Sequence, residues 1–309
     1  MISNHHQSVM FDESIDALNI HKNGIYIDAT FGRGGHTRGI LDKLGDQGRV
    51  IAFDQDISAI NFAKTQFNDS RLTLIHGAFA NLKKTLEAEN LVGKISGVLM
   101  DLGVSSPQLD NAERGFSFNA DGPLDMRMDQ TRGESAAQWL ENADAVEIAN
   151  VLYQYGEEKK SRYIANAIKR YQQDKTITTT LQLANLIAGV IKVKKNKHPA
   201  TRSFQAIRIH INQELEQLKQ ALEQSLSVLA PNGRLCVISF HSIEDRIVKQ
   251  FIQKNATPKS IPKGLPIIQQ DIEPTVLKNL GKKMATKEEI AHNKRSRSAI
   301  LRIAQRNKD

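Results

Sequence analysis

The chain has 309 residues, 40% of them hydrophobic, which is enough to bury one large core or two ordinary ones. It has no run of about eighteen apolar residues, and its N-terminus lacks the basic-then-apolar order of a signal peptide, so we expect neither a membrane span nor secretion. Cys236 is the only cysteine, which excludes an internal disulfide and fits a cytoplasmic location. The net charge of +8 favours a polyanionic partner.

A strand, a glycine loop and a helix follow one another near the N-terminus. Ile25–Ile27 has the β-branched and aromatic composition of a short buried strand, which Asp28 closes. The glycine-rich residues 32–35 predict a tight turn, and Thr37–Leu44 has the apolar spacing of a helix. A short helix over Asp12–Leu18 is expected to pack beside this loop. The adjacent residues His5 and His6 lack further ligands at suitable spacing, so we expect no metal site.

The next strand carries the acid that indicates the cofactor. Arg49–Phe53 is predicted to be a strand ending in Asp54, about twenty residues after the loop, where a βα unit places an acid on ribose hydroxyls. A pyrophosphate site would need a third glycine, but Thr37 stands there. Asp28 would also repel a diphosphate and suits an ammonium or sulfonium. The pattern therefore favours S-adenosylmethionine over a dinucleotide.

Two further strands are predicted, each followed by a candidate site residue. Leu72–His76 leads to Phe79, which faces either the adenine or the core. Ile95–Met100 ends at Asp101. Methyltransferases that act on exocyclic amines carry an acidic or amide side chain at this strand tip. Such an amine, for example cytosine N4, is a poor nucleophile because its lone pair is delocalised into the ring. An acceptor that holds its N–H bonds lets the nitrogen pyramidalise toward the methyl group. Asp101 is therefore the candidate for catalysis.

The regular strand–helix alternation breaks after Arg114. Four helical patterns follow without an intervening strand: Ser135–Leu140, Ala145–Tyr153, Lys160–Tyr171 and Thr180–Ile191. The predicted fold is α/β, a Rossmann-like sheet domain with an inserted all-helical domain. Its expected boundaries are 1–112 and 208–309 for the sheet domain and 113–207 for a helical substrate-recognition domain.

A basic stretch lies within and after the last predicted helix of this insertion. Residues 175–213 contain no Asp or Glu. Such a run is usually a solvated surface, but beside a cofactor fold it is also a candidate phosphate clamp. Its basic residues include Lys192, Lys194, Lys195, Lys197, Arg202 and Arg208.

The C-terminal third predicts a return to the sheet. Its expected elements are one long helix over Phe204–Ala230, a turn at 231–233, a buried strand over Arg234–Phe240 and a helix opened by His241. Ala256–Leu280 is predicted to be a loop. Arg295–Ile303 is predicted to be a closing edge strand, with Arg295 and Arg297 at its entrance as phosphate ligands.

Several long motifs together resemble the MraW family of ribosomal RNA small-subunit methyltransferases. They are DATFGRGGHT (28–37), DLGVSSPQLD (101–110), RGFSF with GPLDMRMD (114–129), YGEE (155–158), KHPATRSFQAIRI (197–209), SFHSIEDRIVK (239–249) and RSRSAILR (295–302). The likeness covers nearly the whole chain. It implies a class I (Rossmann-like) S-adenosylmethionine-dependent methyltransferase domain that carries an inserted all-helical domain.

The resemblance implies methyl transfer from S-adenosylmethionine to N4 of one cytidine in the decoding region of 16S rRNA. The cofactor contacts it implies are Gly34, Gly35, His36, Asp54, Phe79, Asp101 and Gln108, to which the strand-end acid Asp28 and the loop residue Gly32 are added from position. By sequence alone, His36 would be a capping or exposed residue. Ser105 and Ser106 are placed near the reacting amine with Asp101. We expect recognition within the assembled small subunit, and a homodimer stays open.

The sequence leaves three rival functions open, namely an NAD-linked oxidoreductase, an RNA-binding assembly factor and a DNA amino-methyltransferase. Methylation at cytosine C5 is disfavoured because it needs a cysteine nucleophile, and Cys236 is predicted to lie within a buried strand.

Overall fold

The computed structural model describes residues 8–191, 198–258 and 274–308. The chain divides into two compact units. Residues 1–103 and 216–309 form the first, here called the sheet unit, and residues 104–215 form the second, here called the helical unit. The boundaries expected from sequence were 112/113 and 207/208, and the substrate-recognition role of the insertion stays a prediction.

In chain order, the helices and strands of the described residues are α1 (Phe11–Ala17), β1 (Ile25–Asp28), α2 (Gly35–Lys43), β2 (Arg49–Asp54), α3 (Ile57–Gln66), β3 (Leu72–His76), α4 (Leu82–Ala88), β4 (Ile95–Asp101), α5 (Ser106–Asp110), α6 (Ala136–Asn142), α7 (Ala145–Gly156), α8 (Ser161–Tyr171), α9 (Thr180–Val190), α10 (Thr201–Ile211), α11 (Glu214–Val228), β5 (Leu229–Ser239), α12 (Ser242–Ala256), β6 (Leu277–Met284), α13 (Lys287–His292) and β7 (Ile300–Arg306).

The sheet unit is built on a seven-stranded sheet with the order β3-β2-β1-β4-β5-β7-β6. The first five strands of this order are parallel, and β7 is antiparallel to both β5 and β6. The order reverses direction between β1 and β4, which is where open α/β sheets bind ligands at the carboxyl ends of their strands. This is the predicted class I methyltransferase sheet, and it places Asp28, Asp54 and Asp101 at one edge.

Alternate residues of the strands face two separate apolar layers. Val98 and Met100 of β4 pack in one cluster with α11 and α12, whereas Leu99 packs in the other with α1 and α2. Side chains on successive residues of a strand point to opposite faces, and both faces of a parallel sheet are covered by helices. This explains why the strands read as continuous hydrophobic runs.

The C-terminal strands differ from the sequence prediction. β7 begins only at Ile300, after a 3₁₀ turn over Lys294–Ser298, and it lies inside the sheet and not at its edge. The edge is β6, whose first residues were predicted to be loop. The LKNLGKKM sequence of β6 lacks apolar alternation because most of its side chains are exposed. Its lysines are typical of an edge strand, where charged side chains prevent pairing with another chain. Residues 259–273 of the same predicted loop lie outside the described residues.

The predicted long helix over Phe204–Ala230 is wrong. α10 ends at Ile211 and α11 begins at Glu214, and Gln213 between them has a left-handed φ of 50°. The Asn212 side chain accepts the N–H of Met128 and donates to the carbonyl of Met126, which fixes the break. Apolar spacing on both sides hid this interruption, because the hydrogen bonds that cause it come from residues far along the chain.

The strand predicted to start at Arg234 starts earlier. β5 begins at Leu229 and ends at Ser239, and its register against β4 shifts between the Leu229 and Arg234 pairs. Pro231 to Gly233 therefore form an irregularity within the strand, with Asn232 at a φ of 64°.

The helical unit has its own core. Helices α6 to α10 bury one apolar cluster that includes Trp139, Leu152, Ile164, Ile187 and Phe204. The indole N–H of Trp139 donates to Glu147 at 2.8 Å, so its polar atom is satisfied. Each predicted helical pattern of the insertion corresponds to a helix of this unit.

Within the described ranges, no helix combines the length and the apolar character that crossing a membrane requires.

Candidate active site

The glycine loop closes because only glycine fits at its end. Gly34 precedes α2 with a φ of 71°, and a Cβ there would lie 2.4 Å from the Phe67 ring and 2.6 Å from the Phe31 ring. Gly32 also has a left-handed φ, of 55°. No side chain caps the start of α2, so no capping side chain satisfies its first N–H groups.

We expect Gly34→Ala to lower the free energy of unfolding by about 2 kcal/mol or more, because it adds backbone strain and a steric overlap. Gly93 is the matched control, since its φ is 76° but no atom lies within 4 Å of the added Cβ. Urea unfolding of both variants separates the cost of backbone strain, which both share, from the cost of steric overlap, which only Gly34→Ala has. Equal losses for Gly34→Ala and Gly93→Ala would show that the aromatic contacts of Gly34 do not matter.

Asp54 ends β2 and is tied to the loop. Its Oδ2 accepts the N–H of Gly32 at 2.7 Å, and its Oδ1 accepts the N–H of Asp56 at 2.8 Å. Burial raises the pKa of Asp54 to about 6, helped by the charges of Asp56 and Asp28 and opposed by these two hydrogen bonds. A carboxylate has about four acceptor sites, so two remain for the two hydroxyls of a ribose.

Asp28 ends β1 and is 1% exposed. Its Oδ2 accepts the Thr37 hydroxyl at 2.6 Å and its Oδ1 accepts the N–H of Thr30 at 3.1 Å. The threonine that replaces the third glycine of the dinucleotide pattern therefore has a structural role, because it joins α2 to the end of β1. A direct contact of Asp28 with a ligand stays a prediction.

Asp101 ends β4 with an unsatisfied carboxyl oxygen. Its N–H donates to Thr30 Oγ1 at 2.7 Å, but no described residue offers a hydrogen bond to its buried Oδ1. Burial raises the pKa of Asp101 well above its usual range, and the charges of Asp28, Glu244 and Glu289 add to the effect. A buried acceptor without a donor is costly, so this atom is suited to a donor from a ligand.

His36 is buried at 4% exposure, so the expectation of an exposed or capping residue is wrong. Its ring stacks on Phe11 with centroids 6.0 Å apart, because α1 packs on the first turn of α2 as predicted. Burial lowers the pKa of His36, and the charge of Asp28 opposes this shift. Its Nε2 has no hydrogen-bond partner among the described residues.

Phe79 lies in the 3₁₀ turn after β3 and is 9% exposed. It belongs to the apolar cluster that includes Phe53, Leu82 and Leu102. The structure therefore places this ring in the core at the ligand-binding edge, and its contact with adenine stays a prediction.

Ser105, Ser106 and Gln108 lie in the helical unit, at the start of α5. Ser105 is the N-cap, and the Gln108 side chain accepts its N–H at 2.9 Å, which forms a capping box. Gln108 is 5% exposed. This local role explains the S-S-P-Q sequence by itself, and the assigned contacts with cofactor and amine stay predictions.

The residues predicted to bind phosphate lie in different parts of the structure. Lys194, Lys195 and Lys197 lie outside the described residues. Arg202 is exposed, and its Nη1 donates to the carbonyl of Glu157 at 3.1 Å. Arg295 and Arg297 are exposed in the 3₁₀ turn before β7, instead of at the entrance of an edge strand.

Two acids near Asp101 were not predicted. Glu244 is 2% exposed and accepts the N–H groups of Phe240 and His241 at the start of α12. Glu289 of α13 accepts the N–H of Met10 at 2.8 Å. A capping-box pattern could have indicated Glu244, but nothing in the local sequence brings α13 to the first helix.

The residues at this edge fit S-adenosylmethionine by their chemistry. Asp54 has acceptor sites for two ribose hydroxyls, and the buried Oδ1 of Asp101 lacks a donor. Burial and, to a smaller extent, the charges of three other carboxyl groups raise the pKa of Asp101, and a cationic ligand would relieve the repulsion among these carboxyl groups. A diphosphate would instead add negative charge to this cluster.

The chain is similar over nearly its whole length to proteins of one family. Residues 3–307 match the MraW methylase family. The chain is 66% identical to the ribosomal RNA small subunit methyltransferase H of Ruthia magnifica subsp. Calyptogena magnifica, over 99% of this chain and 100% of that protein. The protein of that name from Vesicomyosocius okutanii subsp. Calyptogena okutanii is 63% identical over the same shares.

Among solved structures, an rRNA methylase from Streptococcus thermophilus is 13% identical, with a TM-score of 0.44, covering 96% of this chain and 95% of that chain.

The family match spans nearly all of the residues, including the glycine loop and the three strand-end acids. The chain therefore belongs to the MraW methylase family, and its methyl donor is S-adenosylmethionine.

Proposed function

We propose that this methyltransferase transfers a methyl group to the exocyclic N4 of one cytidine in the decoding region of small-subunit rRNA, in the cytoplasm. The names and the high identity of its relatives support small-subunit rRNA as the substrate. The single observation that supports an amine acceptor is the buried, unpartnered Oδ1 of Asp101 at the end of β4.

The residues of the site would act mainly by positioning. The methyl donor supplies an electrophilic carbon on a cationic sulfur. Asp101 would accept an N–H bond of the amine and hold the nitrogen lone pair toward that carbon, because a delocalised amine must pyramidalise to react. The acceptor need not be a strong base, since the N–H becomes acidic as the new bond forms. Asp54 and the glycine loop would fix the nucleoside of the donor.

The single cysteine supports amine chemistry over methylation at cytosine C5. Cys236 is fully buried in β5, and burial raises the pKa of its thiol to about 12. A C5 methylase needs an accessible thiolate that adds to C6. We expect Cys236→Ala to lower stability by about 1 kcal/mol while keeping kcat within about twofold. A loss of more than a hundredfold in kcat, in folded protein, would revive the C5 alternative.

Methylation assays on naked small-subunit rRNA and on assembled small subunits test the proposal directly. Mass spectrometry of the digested RNA should find N4-methylcytidine at one position, with the assembled subunit as the better substrate. A product methylated at C5 or on adenine would refute the N4 assignment. Methylation of DNA and not of rRNA would favour a DNA amino-methyltransferase, and binding of rRNA without methylation would favour an assembly factor.

A further inference from the structure

The connection between α7 and α8 presents exposed aromatic and basic residues together. α7 ends at Gly156 and α8 begins at Ser161, so Tyr153 in the last turn of one helix and Tyr163 in the first turn of the next lie at the same end of the pair. We call the exposed tyrosines and basic residues at this end the hairpin tip. They are Tyr153, Lys159, Lys160, Arg162, Tyr163 and Arg202.

Arg202 belongs to the tip because the start of α10 packs against it. Arg202 Nη1 donates to the carbonyl of Glu157, and a Cβ on Gly156 would lie 2.6 Å from the Arg202 carbonyl oxygen. Gly156 therefore allows α10 to approach the end of α7 closely. This contact brings a residue predicted from sequence as a phosphate ligand to a second group of cations.

The charge of the tip is strongly positive. No Asp or Glu occurs from Lys159 to Gln173. Of the two acids just before this stretch, Glu158 is 7% exposed and accepts the N–H of Lys160, which leaves Glu157 as the exposed acid. Lys159 and Arg162 form no ion pair with any residue in the described ranges. Four cations therefore face solvent beside one exposed carboxylate.

Two large rings are exposed at the same end. Tyr153 is 63% exposed and Tyr163 is 65% exposed, in a unit whose other large apolar groups are mostly buried. Lys160 Nζ lies 5.0 Å from the centre of the Tyr163 ring, which is within the range of a cation–π contact. Because most of the Tyr163 side chain is exposed, its ring is accessible for stacking.

We propose that the hairpin tip binds a single-stranded or looped segment of the RNA substrate. Its tyrosines stack on unpaired bases and its four cations contact phosphates, the combination that proteins use for single-stranded nucleic acid. An acidic peptide would match the cations but would leave both rings without a partner. The inference rests on the proposed function for the identity of the RNA, and it adds where the RNA is held.

Binding of a labelled small-subunit rRNA fragment, measured over a range of salt concentrations, tests the tip with the full-length protein. Tyr163→Ala should weaken binding about tenfold or more, whereas Tyr163→Phe keeps the ring and should bind like the wild type. The pair Lys159→Ala with Arg162→Ala should reduce the salt slope by about 0.7 per cation removed.

A matched control uses Arg170→Ala with Lys175→Ala. Both residues are exposed, and Arg170 lies on α8 itself, about 12 Å along the helix from Arg162. This pair removes the same charge away from the tip and should change the salt slope less. Equal effects of the two pairs, or equal losses for Tyr163→Ala and Tyr163→Phe, would overturn the inference.

The failure of the inference can be distinguished from the failure of the proposed function. If the wild type methylates rRNA but the tip variants bind RNA normally, the inference alone is overturned. If the tip variants lose rRNA binding although the wild type never methylates that RNA, the tip is confirmed and the proposed function is wrong. If the tip variants bind naked RNA normally but bind assembled subunits weakly, the tip contacts a ribosomal protein, and this result also overturns the inference.

Discussion

Replacement of Asp101 by alanine is expected to lower the rate of methyl transfer by about a hundredfold or more and to leave the affinity for RNA unchanged. The size follows from the usual effect of removing one group that acts on the transition state. Asp101 has an unpartnered buried Oδ1 and lies near the charges of Asp28, Glu244 and Glu289. A donor from the substrate would satisfy that atom at the moment of reaction.

Replacement of Asp101 by asparagine, which keeps the shape of the side chain without its charge, should instead stabilise the free protein at neutral pH. The pKa of Asp101 in the folded state is raised, so its contribution to stability is present below the pKa of the unfolded chain and is lost as the pH rises through the folded pKa. Because asparagine does not ionise, the melting temperature of the variant minus that of the wild type should increase from pH 5 to pH 8. Glu288→Gln removes an exposed charge and is the control.

Separate measurements of cofactor binding distinguish two roles for Asp101. If the variant binds S-adenosylmethionine normally but turns over slowly, Asp101 acts on the amine. If it loses cofactor binding to the same extent as activity, Asp101 acts on the donor, as the family resemblance also implies. Equal losses of RNA binding and methylation in Asp101→Ala would contradict both assignments.

The cofactor side of the site was predictable because it depends on local sequence. A strand, a glycine turn and a helix, followed by a strand ending in an acid, fix where Asp28 and Asp54 lie once the strands are parallel. The register of β1 on β2 and β4 then brings the third acid, Asp101, to the same edge. Each of these steps uses residues near each other in sequence or a rule of topology.

The parts that sequence did not predict depend on distant contacts. His36 is buried because Phe11 of α1 stacks on it, and Glu289 reaches the site from the last helix by binding the Met10 N–H. The break at Asn212 depends on the backbone of Met126 and Met128. Charge patterning similarly indicated the basic stretch around Arg202, but it could not show that the start of α10 packs against the end of α7.

Replacement of Asp54 by alanine is expected to weaken binding of S-adenosylmethionine about a hundredfold. The carboxylate accepts two backbone N–H groups that shape the loop and has two acceptor sites left for the ribose hydroxyls, so alanine removes both functions. Hydrogen bonds to a charged group are worth about 1.5–3 kcal/mol each. Asp42→Asn on α2 is the control, because it removes an exposed acid from the same unit. Isothermal titration calorimetry measures the affinity of each variant for S-adenosylmethionine.

The pH dependence of cofactor binding gives a second test of Asp54 in the unmodified protein. Its pKa is raised to about 6, mainly by burial, and accepting two hydroxyls favours the ionised form. The affinity should therefore be constant above about pH 7 and fall by up to tenfold per pH unit below pH 6, as the carboxyl takes up a proton that the ligand must displace. S-adenosylhomocysteine carries the same ribose without the sulfonium charge, so its affinity should fall over the same range. A decline for S-adenosylmethionine alone would assign the titration to the acids around Asp101, since those are the groups that respond to the charge on sulfur.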